Sequence, residues 1–208
     1  MRGDAHVRFG GRAGETGRLK GRDRALVRPY ENAVVLSIDE KTSVQAKERK
    51  HRATAVRPGR VSRREFEYVR HGTASLVASL DVATGKVTAK DIVRNDSVTF
   101  IAFLEEIEAS VAGDLSIHVV LDNGSSHTSK ATKAWFAEHP RFVLHHTPAH
   151  ASWLNQVECF FSILTRKLLR RGEFSSRDDL VEKMLAFVAH HSESAKPFKW
   201  VYDAKAAA

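Results

Sequence analysis

The sequence predicts an α/β fold, a mixed five-stranded sheet with helices on both faces. Short β-branched runs at Val34 to Ile38 and Ile117 to Leu121 are too brief for helices and suit buried strands. Thr73 to Leu80 and Lys86 to Val93 flank the turn Asp81-Val82-Ala83-Thr84-Gly85, which makes an antiparallel hairpin. Apolar residues at helical spacing follow the hairpin and recur to the end of the chain. The order is strand, hairpin, helix, strand, helix, strand, helix, helix, the pattern of a sheet covered on both sides.

Each element has a local reason. Val34 to Ile38 is a strand closed by Asp39, and a polar, basic connection runs from Lys41 to Arg70, with a turn at Pro58-Gly59. Asp96 or Ser97 caps a helix whose inner face is Phe100, Ile101, Leu104, Ile107 and Val111, and Gly113 ends it. Ile117 to Leu121 is the fourth strand, closed by Asp122. Thr128 or Ser129 caps a helix to about Glu138, Pro140 stops it, and Phe142 to Leu144 is the fifth strand. After the loop Pro148 to Ser152, a long helix is expected to about Arg171, with Leu154, Val157, Phe161, Leu164 and Leu168 on one stripe. Gly172 closes it, and Ser176 caps a last helix, Asp179 to His190.

Composition narrows the function. A chain of 208 residues can bury a full core. Its net charge of +8 points to an anionic partner, most simply nucleic acid. The single cysteine, Cys159, cannot form an internal disulfide, which suits a reducing cytoplasm. No apolar run approaches the roughly 20 residues that span a bilayer. Residues 1–28 carry eight Lys/Arg, three Asp/Glu and six of the twelve glycines, and are expected to be a disordered basic leader before a domain at 29–208.

Asp39 and Asp122 fall at carboxyl ends of strands, where open α/β sheets place their sites. Glu158 follows Asp122 after 35 intervening residues and shares a helix face with Leu154 and Phe161. Each acid alone fits a bland role, as a turn residue or a first-turn helix acid. Together they are what a site needs to hold two hydrated divalent cations against a phosphodiester. Clustered carboxylates repel, so without metal one should hold its proton strongly.

The segments Ser37-Ile38-Asp39-Glu40-Lys41, Leu121-Asp122-Asn123 with His127, and Ser152-Trp153-Leu154-Asn155-Gln156-Val157-Glu158 resemble those of DDE transposases. The chain is similar to the catalytic domain of the bacterial insertion-sequence-630 family, relatives of the mariner elements, from about Tyr30 to Trp200. The resemblance implies a ribonuclease H-like fold and catalytic, metal-binding acids Asp39, Asp122 and Glu158. It also implies magnesium, with manganese as a substitute, and cleavage and joining of double-stranded DNA. A homodimer in a DNA complex and a bacterial cytoplasmic, nucleoid-associated location fit the same reading. Family members begin with helix-turn-helix modules, and residues 1–28 resemble none, so a separately encoded portion is one expectation. A nuclease that only hydrolyses, or an inactive DNA-binding remnant, is the alternative.

Other residues near the acids keep two readings. Glu40 points away from Asp39 by strand alternation but is a candidate support for it. Asn123 orients a metal-bound water or closes the turn, and His127 touches the scissile phosphate or merely starts a helix. Asn155, one turn before Glu158, is expected to hold that carboxylate. Lys47, Arg49, Lys50 and Arg52 on the basic connection, and Arg166, Lys167, Arg170 and Arg171 at the helix end, are the candidate DNA contacts. His145, His146, His150 and Cys159 match no structural zinc spacing.

Overall fold

The computed structural model describes residues 32–51, 58, 66–148, 151 and 154–199. The expectations for residues 1–28, and for Arg52 as a DNA contact, fall outside these residues. Five strands form one sheet in the order β3-β2-β1-β4-β5. They are β1 (Ala33–Arg49), β2 (Tyr68–Asp81), β3 (Val87–Ile92), β4 (Ser116–Leu121) and β5 (Phe142–His146). The hairpin β2–β3 is antiparallel, β1 runs antiparallel to β2, and β4 and β5 run parallel to β1.

The first strand corrects the sequence reading. Asp39 does not end it, because β1 continues to Arg49 and the expected connection from Lys41 onward is strand as far as that residue. Pairing explains the difference. The parallel ladder to β4 stops at Ser37, but β2 stays paired along the other edge of β1, from Leu36↔Asp81 out to Arg49↔Tyr68. Asp39 therefore lies where β1 loses one neighbour and keeps the other. Beyond it, β1 and β2 form a two-stranded arm with register shifts at Lys41/Val44 and Gln45/Lys47. Ser43 takes a positive φ of 55° at the first shift and Gly72 takes 96° on β2 at the second, the bulged geometry that bends and twists a ribbon.

The helices divide between the two faces. On one, α1 (Ser97–Ser110) and α3 (Lys130–Glu138) cover Leu36, Ile38, Val77, Ile117, Val119 and Leu121 with Phe100, Phe103, Leu104, Ile107 and Trp135. On the other, α4 (Val157–Leu164) and α5 (Arg177–Glu193) cover Leu76, Ala78, Leu80 and Val87 with Val157, Phe160, Phe161, Leu164, Leu180 and Met184. Asp96, Ser129 and Ser176 cap α1, α3 and α5 by accepting from the backbone N–H three residues on. Arg141 donates to the carbonyls of Glu108, Val111, Ala112 and Leu115, which satisfies the free end of α1 and anchors the start of β5.

Two helical expectations change. A short helix α2 (Ser125–Thr128) precedes α3, with His127 inside it. The long helix begins at Val157, not near Ser152, and continues past Leu164 as a π segment, Thr165–Leu169, where Arg170 N–H bonds to Thr165 O. The widened turn shifts the helical phase, so Leu168 is only partly buried.

Candidate active site

Asp39 and Ser37 point to the α4 face of β1, and Glu40, one residue on, to the α1 face. Asp39 is 8% exposed. Its Oδ1 accepts from the Glu40 N–H at 2.8 Å, and its Oδ2 from Asn155 Nδ2 at 3.3 Å. Asn155 thus holds a carboxylate as expected, but that of Asp39 and not that of Glu158. The reason is placement: Asn155 precedes the helix proper and is fully buried against β1. Its Nδ2 also donates to Ile38 O at 2.9 Å, and Ser37 Oγ donates to its Oδ1. Ser37 Oγ in turn accepts the Val157 N–H at 2.9 Å, an otherwise unpaired first-turn donor of α4. This knot fastens the start of the Glu158 helix to the strand that carries Asp39.

Asp122 follows the end of β4. Its Oδ1 accepts from Gly124 N–H at 2.8 Å and faces His127 Nδ1 at 2.8 Å. A Cβ on residue 124 would stand 3.0 Å from that oxygen and 3.2 Å from Nδ1, so a larger residue here would press on the Asp122–His127 pair. Asn123 donates to Thr147 O at 2.9 Å, which ties the turn to the end of β5 and supports its turn reading. His127 is 1% exposed and reaches Glu40 Oε1 with its other nitrogen at 3.1 Å. The histidine therefore sits between two carboxylates, away from any surface a phosphate could reach. Nothing in the spacing of Glu40, Gly124 and His127 along the chain announces this bridge, and Ser37 was no candidate in the sequence, because only strand pairing sets these residues side by side.

The electrostatics match the geometry. Burial, and then the charges of Asp122, Glu40 and Glu158, push the Asp39 carboxyl up to about 7 against the opposing Glu40 N–H bond. The proton expected to be held by repulsion is therefore on Asp39, with desolvation the larger cause. For His127 burial pulls downward, but the bonds and charges of Glu40 and Asp122 win and raise it to about 9.

Both shifts have the same stability sign. The Asp39 contribution is present in full below 3.8 and is lost as pH rises through about 7. That of His127 is present below 6.5 and is lost as pH rises through about 9. The metal-free protein should thus be less stable at pH 9.5 than at pH 6, with His127 alone worth about 3 kcal/mol. His118, His145 and His191, held low mainly by burial, slope the other way only up to about their ordinary value of 6.5, so the fall is read above it. Thermal melts across that range check it, and a flat or rising profile contradicts it.

The donor set suits magnesium. Three carboxylates offer hard oxygens, and Asp39 must lose a proton that a cation would displace. Among the described residues no three Asp, Glu, His or Cys side chains stand close enough together to hold a metal ion, so the three acids would have to draw together around one. A separate cleft of about 180 Å³, between Val34, Asp81, Lys86 and Ile107, lies at the opposite end of the sheet.

The candidate DNA contacts divide. Arg49 is turned inward, bonded to Glu173 at 2.5 Å and 5.7 Å from the Tyr68 ring, with a side chain only 15% exposed. Lys50 pairs with Glu67 at 2.9 Å. Lys47, Arg166, Lys167, Arg170 and Arg171 are exposed. Phe174 N–H bonds to Lys47 O at 2.9 Å, which brings the basic end of the α4 segment beside the arm.

Comparison with known proteins agrees with this layout. The pattern of the family described as DDE superfamily endonuclease matches residues 34–181. The insertion element IS630 uncharacterized 39 kDa protein of Shigella sonnei is 28% identical over 169 residues, 81% of this chain and 45% of that protein. The chain thus spans about half the length of this curated relative. The Mos1 mariner paired end complex with Mn superimposes with a TM-score of 0.58 at 14% identity, covering 86% of this chain and 60% of that one. The Mos1 strand transfer complex gives 0.57 at 17% identity, covering 74% and 47%. The sheet order and helix placement are those of the ribonuclease H-like fold. No helix among the described residues is long and apolar enough to cross a membrane. The chain belongs to the DDE superfamily endonucleases.

Proposed function

We propose that this domain cleaves DNA strands at the ends of an insertion sequence and joins them to a target, with Asp39, Asp122 and Glu158 holding two magnesium ions. The observation that carries the reading is Asp39, 8% exposed and held by Asn155, whose carboxyl is raised first by burial and then by the charges of Asp122, Glu40 and Glu158. The Mos1 relatives were solved with Mn and with Mg and in a strand transfer complex, which supports the same chemistry here. Bound magnesium supplies activation of a water or 3′-hydroxyl for in-line attack and stabilises the leaving oxygen.

The protein's share is orientation and charge. Asn155 fixes the Asp39 carboxylate and His127 that of Asp122, while Glu158, half-buried in the first turn of α4, is near enough for its charge to act on Asp39. Asp39 sheds its proton before it can ligate, so cleavage should fall as pH drops below about 7. The partner is double-stranded DNA, engaged in a homodimeric complex in the cytoplasm, with end recognition supplied by helix-turn-helix modules outside this domain.

The deciding experiment offers a duplex with a free 3′-hydroxyl and a supercoiled plasmid, with Mg²⁺ or Mn²⁺. Joined product is expected; nicking without joining would leave a hydrolytic nuclease. The role of the exposed basic residues in holding phosphates is tested by changing Lys47, Arg166, Lys167, Arg170 and Arg171 to Gln. Binding to any duplex should weaken, and the log–log salt slope should flatten by about 0.9 for each phosphate that is no longer neutralised. An unchanged slope would place this face away from DNA.

A further inference from the structure

We propose that Glu40 is a positioning residue for Asp122, acting through His127 from the opposite face of the sheet. The inference rests on the metal-site reading above and adds a residue that does not itself touch metal or DNA. Strand alternation turns Glu40 away from Asp39 and places its carboxylate, 6% exposed, beside α2. There it meets His127 Nε2 at 3.1 Å and Ser126 Oγ at 3.4 Å. The other walls around it are Val77, Ile92 and Phe100, together with the loop Arg94 to Asp96.

Packing alone would favour an apolar side chain at such a position, because a buried carboxylate costs stability unless it is bonded. What Glu40 gains is a grip on one end of an imidazole. The ring leans on Phe100, with centroids 4.5 Å apart, and its other end faces Asp122 Oδ1 at 2.8 Å. Gly124 N–H takes the same oxygen. Asp122 is thereby fixed by Oδ1, on a side chain that is 34% exposed, which leaves Oδ2 for a cation. Glu40, His127 and Asp122 form one line from the α1 face to the catalytic edge. Its effect is to hold the carboxylate in a single rotamer before any cation arrives, as partners behind metal ligands do.

The test uses the full chain, with Mn²⁺ as the probe, read by electron paramagnetic resonance without DNA and by thermal melts. Glu40→Met keeps the volume, suits the apolar walls and removes the bond to the ring. Glu40→Gln keeps the reach, and its amide can donate to or accept from Nε2, so the ring stays oriented. Glu40→Met is expected to weaken Mn²⁺ binding about 10- to 100-fold, the usual loss for a partner behind a metal ligand, and Glu40→Gln to recover most of it. The Mn²⁺ concentration for half-maximal DNA cleavage should shift in parallel. Should Glu40→Met fail to fold, Glu40→Asp replaces it, with a carboxylate one methylene too short for Nε2 and the same expected loss. Wild-type Mn²⁺ affinity in these variants, or a loss in Glu40→Gln as large as in Glu40→Met, overturns the proposal. Asp122→Asn separates the two readings: if it also binds Mn²⁺ like wild type, the metal site itself is wrong and the role of Glu40 falls with it.

Discussion

Asp122→Asn should abolish DNA cleavage and leave the fold in place. An asparagine oxygen can accept from Gly124 N–H and His127 just as Asp122 Oδ1 does, so the turn keeps its bonds. What is lost is the charge. The second oxygen is replaced by an amide nitrogen, which cannot ligate magnesium. Charge stabilisation by a catalytic cation is worth several kcal/mol, so the rate should fall about a thousandfold or more. His127 should also titrate lower, since one of the two carboxylates that raise it has become neutral. The measurement is nicking of supercoiled plasmid with Mg²⁺ or Mn²⁺, alongside circular dichroism. A folded variant that nicks at the wild-type rate would remove Asp122 from the mechanism.

Asn155→Leu should damage both stability and activity. The side chain fills a similar volume but removes the Asn155 donor to Ile38 O and the acceptor of the Ser37 hydroxyl proton, in a fully buried place. Unsatisfied groups of this kind cost about 1–3 kcal/mol each, so a clear drop in melting temperature is expected. Activity should fall further than stability alone accounts for. Asp39 Oδ2 loses the Asn155 bond, and the start of α4 keeps only one of the described hydrogen bonds that fasten it to β1, that from Val157 N–H to Ser37. Cleavage measured well below the melting temperature should decline about a hundredfold, the upper end for loss of a ligand's supporting bond. If cleavage there stays at the wild-type level, the knot is structural only and does not set the metal ligands.

The setting of the three proposed metal-holding acids was legible in the sequence because their surroundings are local. Asp39 and Asp122 each follow an apolar run that can only be a buried strand, and Glu158 lies at helical spacing from Phe161. The helix starts at Asp96, Ser129 and Ser176 were also legible, since a cap bonds within three residues of itself. The hairpin was legible from its turn. The length of β1 was not. Lys41 to Arg49 is polar, and a polar segment reads as a connection until its partner strand is known. The start of α4 was misplaced because Leu154 fits the helical stripe, although Asn155 is drawn out of the helix to serve β1.

By itself the sequence determined the strand–helix order, the candidacy of the three acids and the basic character of the chain. These depend on residue type and on spacing within a few turns. The tertiary structure alone decided which groups support the acids. Ser37 and Asn155 are 118 residues apart, and Glu40 and His127 are 87 apart. Such pairs leave no periodic trace in the chain, because a hydrogen bond between distant residues depends on strand register and helix docking. Only the folded sheet also decided that Arg49 serves Glu173 and that Asp39 is the acid that keeps its proton. An ion pair across 124 residues and the desolvation of a carboxylate exist only once the surrounding chain has packed.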